Sequence, residues 1–216
     1  MGLCFFTKLG SLKRLVFRLW LADARAKEGQ FLNFLRPGDR ILDLGSGPGS
    51  VCRLLRDRGF AVTPVDIQDV ALDPRARPQL YDGRRLPFAD GAFDVALLLT
   101  VLHHTAAPAA VLAEAGRMAH RVIVIEDVYA STRQKYLTWW ADSLLNLEFI
   151  GHPHTNRPDA AWRAQFIRLG WQLVHTQNRR VAGIFQQQLY VLEPSARPAL
   201  PWPQPGVSST LVHDLA

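Results

Sequence analysis

The apolar run Arg40–Leu44 gives way to Gly45-Ser46-Gly47-Pro48-Gly49, with glycine at every second position, and residues 50–58 follow with helical periodicity. A strand, a tight glycine turn and an amphipathic helix in that order confine the chain to α/β folds. In such folds ligands sit outside the carboxyl ends of parallel strands. The alternation continues: strands are expected over 61–65, 79–81 and 92–99, the last nearly all apolar and so buried on both faces. Pro108–Met118 has the period of a helix, and 121–125 reads as a strand ending at Glu126 and Asp127. Helices over 131–149 and 158–169 flank a loop at 151–157; strands over 171–176 and 185–192 close the pattern as an antiparallel pair separated by 177–183. The expected architecture is a doubly wound, seven-stranded, mostly parallel sheet with an antiparallel edge strand and helices on both faces.

Before the glycine loop, Leu12, Leu15, Val16, Leu19 and Trp20 recur at helical spacing behind a Ser11 N-cap. Lys8, Lys13, Arg14 and Arg18 interrupt every apolar run before it could serve as a signal or a membrane span. This amphipathic helix with a basic face is expected to pack on its own domain, and no stable membrane insertion is implied. Surface contact by the helix stays open. The formal charge of +6 comes mainly from scattered arginines, with no basic stripe or binding module, so no nucleic-acid partner is expected. Cys4 and Cys52 lack ligand spacing and imply neither a disulfide framework nor a thiolate metal site, which fits a reducing, cytoplasmic setting.

Glycines at 45, 47 and 49 let a ligand lie against bare backbone with a helix N-terminus behind it. Their GxGxG spacing departs from the GxGxxG of dinucleotide sites. Asp43, two residues before Gly45, can reach an ammonium group of a ligand in the crevice. Asp66, about 20 residues further on, can accept hydrogen bonds from ribose hydroxyls. Asp82 before Gly83 is either a ligand contact or a turn residue, and Asp94 is assigned to structure.

These residues resemble motif I and the acidic loop of class I S-adenosylmethionine-dependent methyltransferases, which have a Rossmann-like fold. The likeness continues through Tyr81-Asp82-Gly83, Leu86-Pro87-Phe88 and Gly91-Ala92-Phe93-Asp94, similar to the type 11 branch related to ubiquinone and menaquinone C-methyltransferases. It covers roughly residues 38 to 126. The resemblance implies S-adenosyl-L-methionine as cofactor, held by Asp43, Gly45, Ser46, Gly47, Gly49, Asp66, Ile67, Asp82, Gly83 and Leu99. In that family the aspartate matching Asp82 holds the adenine amino group, and the segment matching Leu99-Thr100-Val101-Leu102-His103-His104 lines the methionine end.

Methyl transfer requires alignment of the acceptor and, where the acceptor is protonated, a base. His104 and His103, directly after strand four, either serve as that base or shape the pocket. Glu126 and Asp127, read as paired carboxylates, either raise one another's pKa, hold a cation, or cap the next helix. Trp139, Asp142 and Asn146 fall on one helical face, and polar groups in so apolar a stretch call for partners that an acceptor would supply. His152 and His154, across Pro153, complete the candidate acceptor contacts, and no metal is assigned.

The expected organisation is one methyltransferase domain over 1–193, with a helical cap at 1–36 and a helical acceptor-site insertion at 128–170. A proline-rich tail occupies 194–216. Its expected partner is a small organic methyl acceptor, in a biosynthetic or secondary-metabolite pathway, with the chain a monomer or homodimer. The alternative is a noncatalytic cofactor-binding sensor.

Overall fold

The computed structural model describes residues 10–129, 156–181 and 185–195. In chain order the elements are α1 (Gly10–Phe31), β1 (Arg40–Leu44), α2 (Ser50–Asp57), β2 (Ala61–Asp66), β3 (Gln79–Leu80), β4 (Phe93–Leu99), α3 (Pro108–Met118), β5 (Ala119–Val128), α4 (Asp159–Arg168), β6 (Trp171–Val181) and β7 (Phe185–Pro194). The expected helix over 131–149, with Trp139, Asp142, Asn146, His152 and His154, lies outside the described residues, as does the tail beyond Ser195.

The sheet has seven strands in the order β3-β2-β1-β4-β5-β7-β6. Strands β1 to β5 run parallel, and β7 is antiparallel to both its neighbours. The chain therefore winds outward in both directions from β1 and β4, and the crevice of a doubly wound sheet opens at their carboxyl ends. Two clamps fix its opposite edge. Arg40 binds Asp94 through two side-chain bonds of 3.0 Å, fastening the start of β1 to β4 and holding the Asp94 carboxyl down at about 2. Arg121 reaches both Glu193 and the Phe34 carbonyl, tying β5 to β7 and to the chain leaving α1.

Both faces are covered, so successive strand residues enter different cores. Ile41, Val95, Leu97, Leu99, Ile123, Ile125, Leu189 and Val191 share a core with Phe31 of α1 and with Cys52 and Leu55 of α2. Leu42, Leu44, Ala96, Leu98, Val122, Val124, Tyr190 and Leu192 pack against Leu112 and Ala115 of α3 and against Trp162 and Phe166 of α4.

Two strands are longer than the sequence suggests. β6 stays paired through Val181 opposite Phe185, so most of 177–183 is strand. Gln177, Asn178 and Arg180 are polar there because β6 is the outermost strand and these side chains are exposed. β5 also continues through Val128, where its ladder with β7 reaches Gln186, so Glu126 and Asp127 lie within a strand. Helix α1 buries Ala24 and Phe31 in its second half; in its first half Val16, Phe17 and Trp20 are partly buried, whereas Leu15 and Leu19 are 55% and 66% exposed. Leu15 and Leu19 point outward because the docking face is the one carrying Ala24, Lys27 and Phe31, with Lys27 bonded to Thr100 at the end of β4.

Gly116, inside α3, lies under the Trp171 indole; a Cβ there would come within 2.2 Å of the ring. Helix propensity alone predicts that Gly116→Ala stabilises the chain by about 1 kcal/mol. The packing predicts the opposite sign, a loss of about 1–3 kcal/mol, to be measured by urea unfolding.

Candidate functional site

The glycine loop is hung on β2. Gly45 and Ser46 donate their N–H groups to the Val65 carbonyl at 2.8 and 3.1 Å, and the Gly47 N–H donates to Asp66 Oδ2 at 2.8 Å. A Cβ on Gly45 would lie 2.5 Å from Val101, and one on Gly49 2.6 Å from Ala76, so both positions are closed to any side chain. Gly47 has no atom within 4 Å of where its Cβ would stand, leaving open space over the loop. The second Asp66 oxygen accepts from the N–H groups of Ile67 and Gln68. Asp66 is thus oriented before any ligand arrives, and Oδ2, which accepts a single N–H, keeps a lone pair for a hydroxyl.

Asp43, at the end of β1, is buried, and its Oδ2 has no partner. Burial, then the charge of Asp66, pushes its carboxyl up to about 7, against the pull of Arg56, the Cys52 N–H and Lys27. Ser46 Oγ is likewise buried and unpartnered. Cys52 behind them is inert, its thiol pushed up to about 12 by burial and then by Asp43.

Across the crevice, Lys27 of α1 is buried, pairs with Asp23 at 2.8 Å and donates to Thr100 Oγ1 at 3.0 Å. Thr100 is the only non-glycine residue with positive φ among those described, at 59°, and its N–H bonds Ile125 O at 2.6 Å. A β-branched residue in that conformation stores strain at the mouth of the crevice. A lysine on the packing face of α1, in line with Ala24 and Phe31, is the sequence signal that pointed here and was passed over.

The alternation of β5 separates Glu126 from Asp127. Glu126 continues the row of Val122 and Val124 toward α3 and α4; Asp127 continues Ile123 and Ile125 toward α1. They are neighbours in sequence but do not form a two-carboxylate site. Glu126, fully buried, accepts from the Val101 and Leu102 N–H groups at 3.0 and 2.7 Å and holds His103 Nδ1 at 2.5 Å. It brackets the turn Leu102–His104, and the His104 ring lies 4.0 Å from that of His103. Asp127 accepts from Gln187 Nε2 at 3.3 Å, and burial raises its carboxyl's pKa, opposed by His103 and Lys27. Gln187 and Asn156 are buried with unpartnered amide atoms, and neither stood out in the sequence. Asp82 is exposed, its Oδ1 accepting from the Arg84 and Arg85 N–H groups in a turn that lowers its pKa. Ile67, 57% exposed, stands 3.6 Å from the position of a Cβ on Gly83, so an apolar platform flanks Asp66. Among the described residues no group of three or more His, Cys, Asp or Glu is placed to hold a metal.

The family described as "Methyltransferase domain" matches residues 13–176. A demethylmenaquinone methyltransferase of Beutenbergia cavernae is 38% identical over 100 residues, which are 42% of this chain and 42% of that protein. A ubiquinone biosynthesis O-methyltransferase of Pseudomonas aeruginosa is 26% identical over 165 residues, 66% of this chain and 69% of the relative. The chain thus spans well under half the length of the first of these relatives. Among solved structures, a SAM-dependent methyltransferase of Methanosarcina mazei superposes with a TM-score of 0.62 at 16% identity, over 76% of this chain and 96% of that one. The Synechocystis magnesium protoporphyrin IX methyltransferase with bound SAH gives 0.59 at 17% identity, over 80% and 83%.

The raised Asp43 carboxyl fixes a pH dependence. Its folded pKa, about 7, lies above the ordinary 3.8, so between these values the folded state holds a proton that the unfolded state has lost. The stability contributed by this group is full below the lower value and is lost as pH rises toward the higher one. Asp43→Asn should therefore match the wild type in stability near the low end of that window and exceed it above the high end. Thermal melts of ligand-free protein across the window test this; parallel curves would remove Asp43 as the titrating group.

Proposed function

We propose, from the premise that this chain belongs to the methyltransferase domain family, that it transfers the methyl group of S-adenosylmethionine to a small organic acceptor. The observation that carries this reading is the unpaired, buried Asp43 Oδ2 facing a loop whose central glycine is open. That is an arrangement suited to a ligand with a cationic end and a nucleoside body. Asp43 would receive the ammonium of the methionyl group, and Lys27 its carboxylate. Asp66 would accept from the ribose hydroxyls, Ile67 and Gly83 would back the adenine, and Asp82 would offer its free side to the adenine amino group. The amides of Gly45, Ser46, Gly47 and Gly49 would line the loop side, and Leu99 the floor.

The bound cofactor supplies a methyl group already activated on sulfur, so the protein's work is alignment and, for a protonated acceptor, proton removal. His104 is the proposed base, set in place by the ring of His103, which Glu126 locks through Nδ1. Glu126 and His103 act through position, because both side chains are buried behind the turn. Asp127 would steer a polar group of the acceptor on the α1 side. In the same reading residues 1–193 form one domain, with 1–36 capping the crevice and acceptor contacts, including Trp139, Asp142, Asn146, His152 and His154, drawn from 128–170. The printed names of the relatives, demethylmenaquinone methyltransferase and ubiquinone biosynthesis O-methyltransferase, support a biosynthetic acceptor.

Calorimetry with S-adenosylmethionine, S-adenosylhomocysteine and NAD should show binding of the first two alone; NAD binding without them would overturn the reading. Asp66→Ala should weaken cofactor affinity by about tenfold or more, the loss expected for hydrogen bonds to a carboxylate. His104→Ala should leave that affinity intact and slow turnover on the order of a hundredfold. An unchanged rate would exclude His104 as the base.

A further inference from the structure

Helix α1 presents two different faces. Toward the domain it turns Ala24, Lys27, Glu28 and Phe31, all buried. Away from it, Leu15, Leu19, Ala22 and Ala26 form a row at i, i+4, i+7 and i+11, beside a second row of Arg14, Arg18 and Arg25 at i, i+4 and i+11. The three arginines, both leucines and Ala22 are exposed. The acids nearest this face are engaged elsewhere, Asp23 with Lys27 and Glu28 with Arg58. Among the described residues, the face therefore carries positive charge without an ion pair next to apolar surface. Leu15 and Leu19 belong to neither hydrophobic core among the described residues.

Position gives this face a purpose. Lys27 bonds Thr100 at the carboxyl end of β4, while Phe34, just past the helix, meets Arg121 near the amino end of β5. The helix thus runs antiparallel to these strands, and the turns before Lys27 project beyond the sheet's carboxyl edge. At 1.5 Å per residue, Leu19 and Leu15 stand about 12 and about 18 Å out along the helix from Lys27. They flank the mouth of the crevice, where a ligand enters.

We propose that the outer face of α1 docks on an anionic lipid bilayer, with Leu15 and Leu19 entering the headgroup boundary and Arg14, Arg18 and Arg25 pairing with lipid phosphates. An amphipathic helix of this kind lies in the interface plane, its apolar row a few ångströms deep and its basic row at the headgroups. No helix among the described residues is long and apolar enough to cross a membrane, and none is required. Docking would bring the crevice mouth to the bilayer surface, so an acceptor dissolved in lipid could reach the site without passing through water. The proposal stands on this surface and not on the transfer chemistry.

The test is flotation of the full chain with two vesicle preparations, one of phosphatidylcholine alone and one with half its lipid replaced by phosphatidylglycerol. The expected result is binding to the anionic vesicles only, released by salt because exposed charges are screened within about 10 Å at 0.1 M. Each arginine near the surface contributes roughly a fivefold gain in partitioning. The variant carrying Arg14→Gln, Arg18→Gln and Arg25→Gln should therefore bind about a hundredfold less. Leu15→Glu with Leu19→Glu should abolish binding. In all variants the affinity for S-adenosylhomocysteine, measured on the same preparations, should be unchanged, which separates loss of docking from loss of fold or of the cofactor site. No binding of the wild type, equal binding to both vesicle types, or binding insensitive to salt would overturn the proposal. So would a wild-type dimer that the leucine variants dissociate and that ignores lipid, which would assign the face to a second copy of the chain.

Discussion

The central strands of a sheet covered on both faces offer no side to water, so each polar residue in them must find a partner within the protein or a ligand. At the carboxyl edge of this sheet that requirement falls on Asp43, Glu126, Asp127, Gln187 and Gln188. Alternation sorts them: Glu126 and Gln188 face α3 and α4, while Asp43, Asp127 and Gln187 face α1. Glu126 is satisfied completely by two backbone N–H groups and a histidine. Its side of the edge is closed and rigid. The α1 side is only partly satisfied, with orphaned oxygens on Asp43 and Gln187. The asymmetry divides the edge into a structural half and a half that awaits something polar.

Lys27 is what makes the open half tolerable. Burial drives the Asp43 and Asp127 carboxyls toward their protonated forms, with the charge of Asp66 adding at Asp43 and that of Glu126 at Asp127. An ammonium lowered onto them from α1 offsets part of that cost and fastens the helix to Thr100. Filling the site with a cation at Asp43 means ionising that carboxyl, which is favourable only when the charge is matched directly. The unpartnered Asp43 oxygen and the nearby Lys27 ammonium are the features on which the proposed zwitterionic guest rests.

Whatever depended on local chemistry was legible in the sequence. The glycine loop, the strand before it and Asp66 after it are set by spacing within a few tens of residues, and the structure places them together. The doubly wound order followed from the alternation of strands and helices. Non-local facts were not legible. Lys27 reaches Thr100 across 73 residues and Glu126 reaches the turn across about 25, and nothing in either segment announces the other. The sequence reading of Glu126 and Asp127 differs from the structure in where their side chains go, for a definite reason. It placed them after the strand, where both could point one way, whereas the ladder to β7 carries β5 three residues further and sends them to opposite faces. The polar stretch in β6 misled in the same manner, since polarity marks an edge strand as readily as a loop.

The two faces of α1 answer to one geometric fact, that the helix overhangs the crevice. Its inner face must match the charges of the sheet edge, which is why a lysine replaces the aliphatic residue that a packing position ordinarily holds. Its outer face, past the last strand residue, contributes to neither core among the described residues. An arginine row beside a leucine row is costly to leave in water, because the leucines order solvent and the like charges repel along the helix. A chain selected for folding alone would place glutamate opposite those arginines at i+4 and remove the leucines. That neither has happened on the segment bordering the crevice mouth, while Asp23 and Glu28 of the same helix are matched, is the ground for the proposed docking surface.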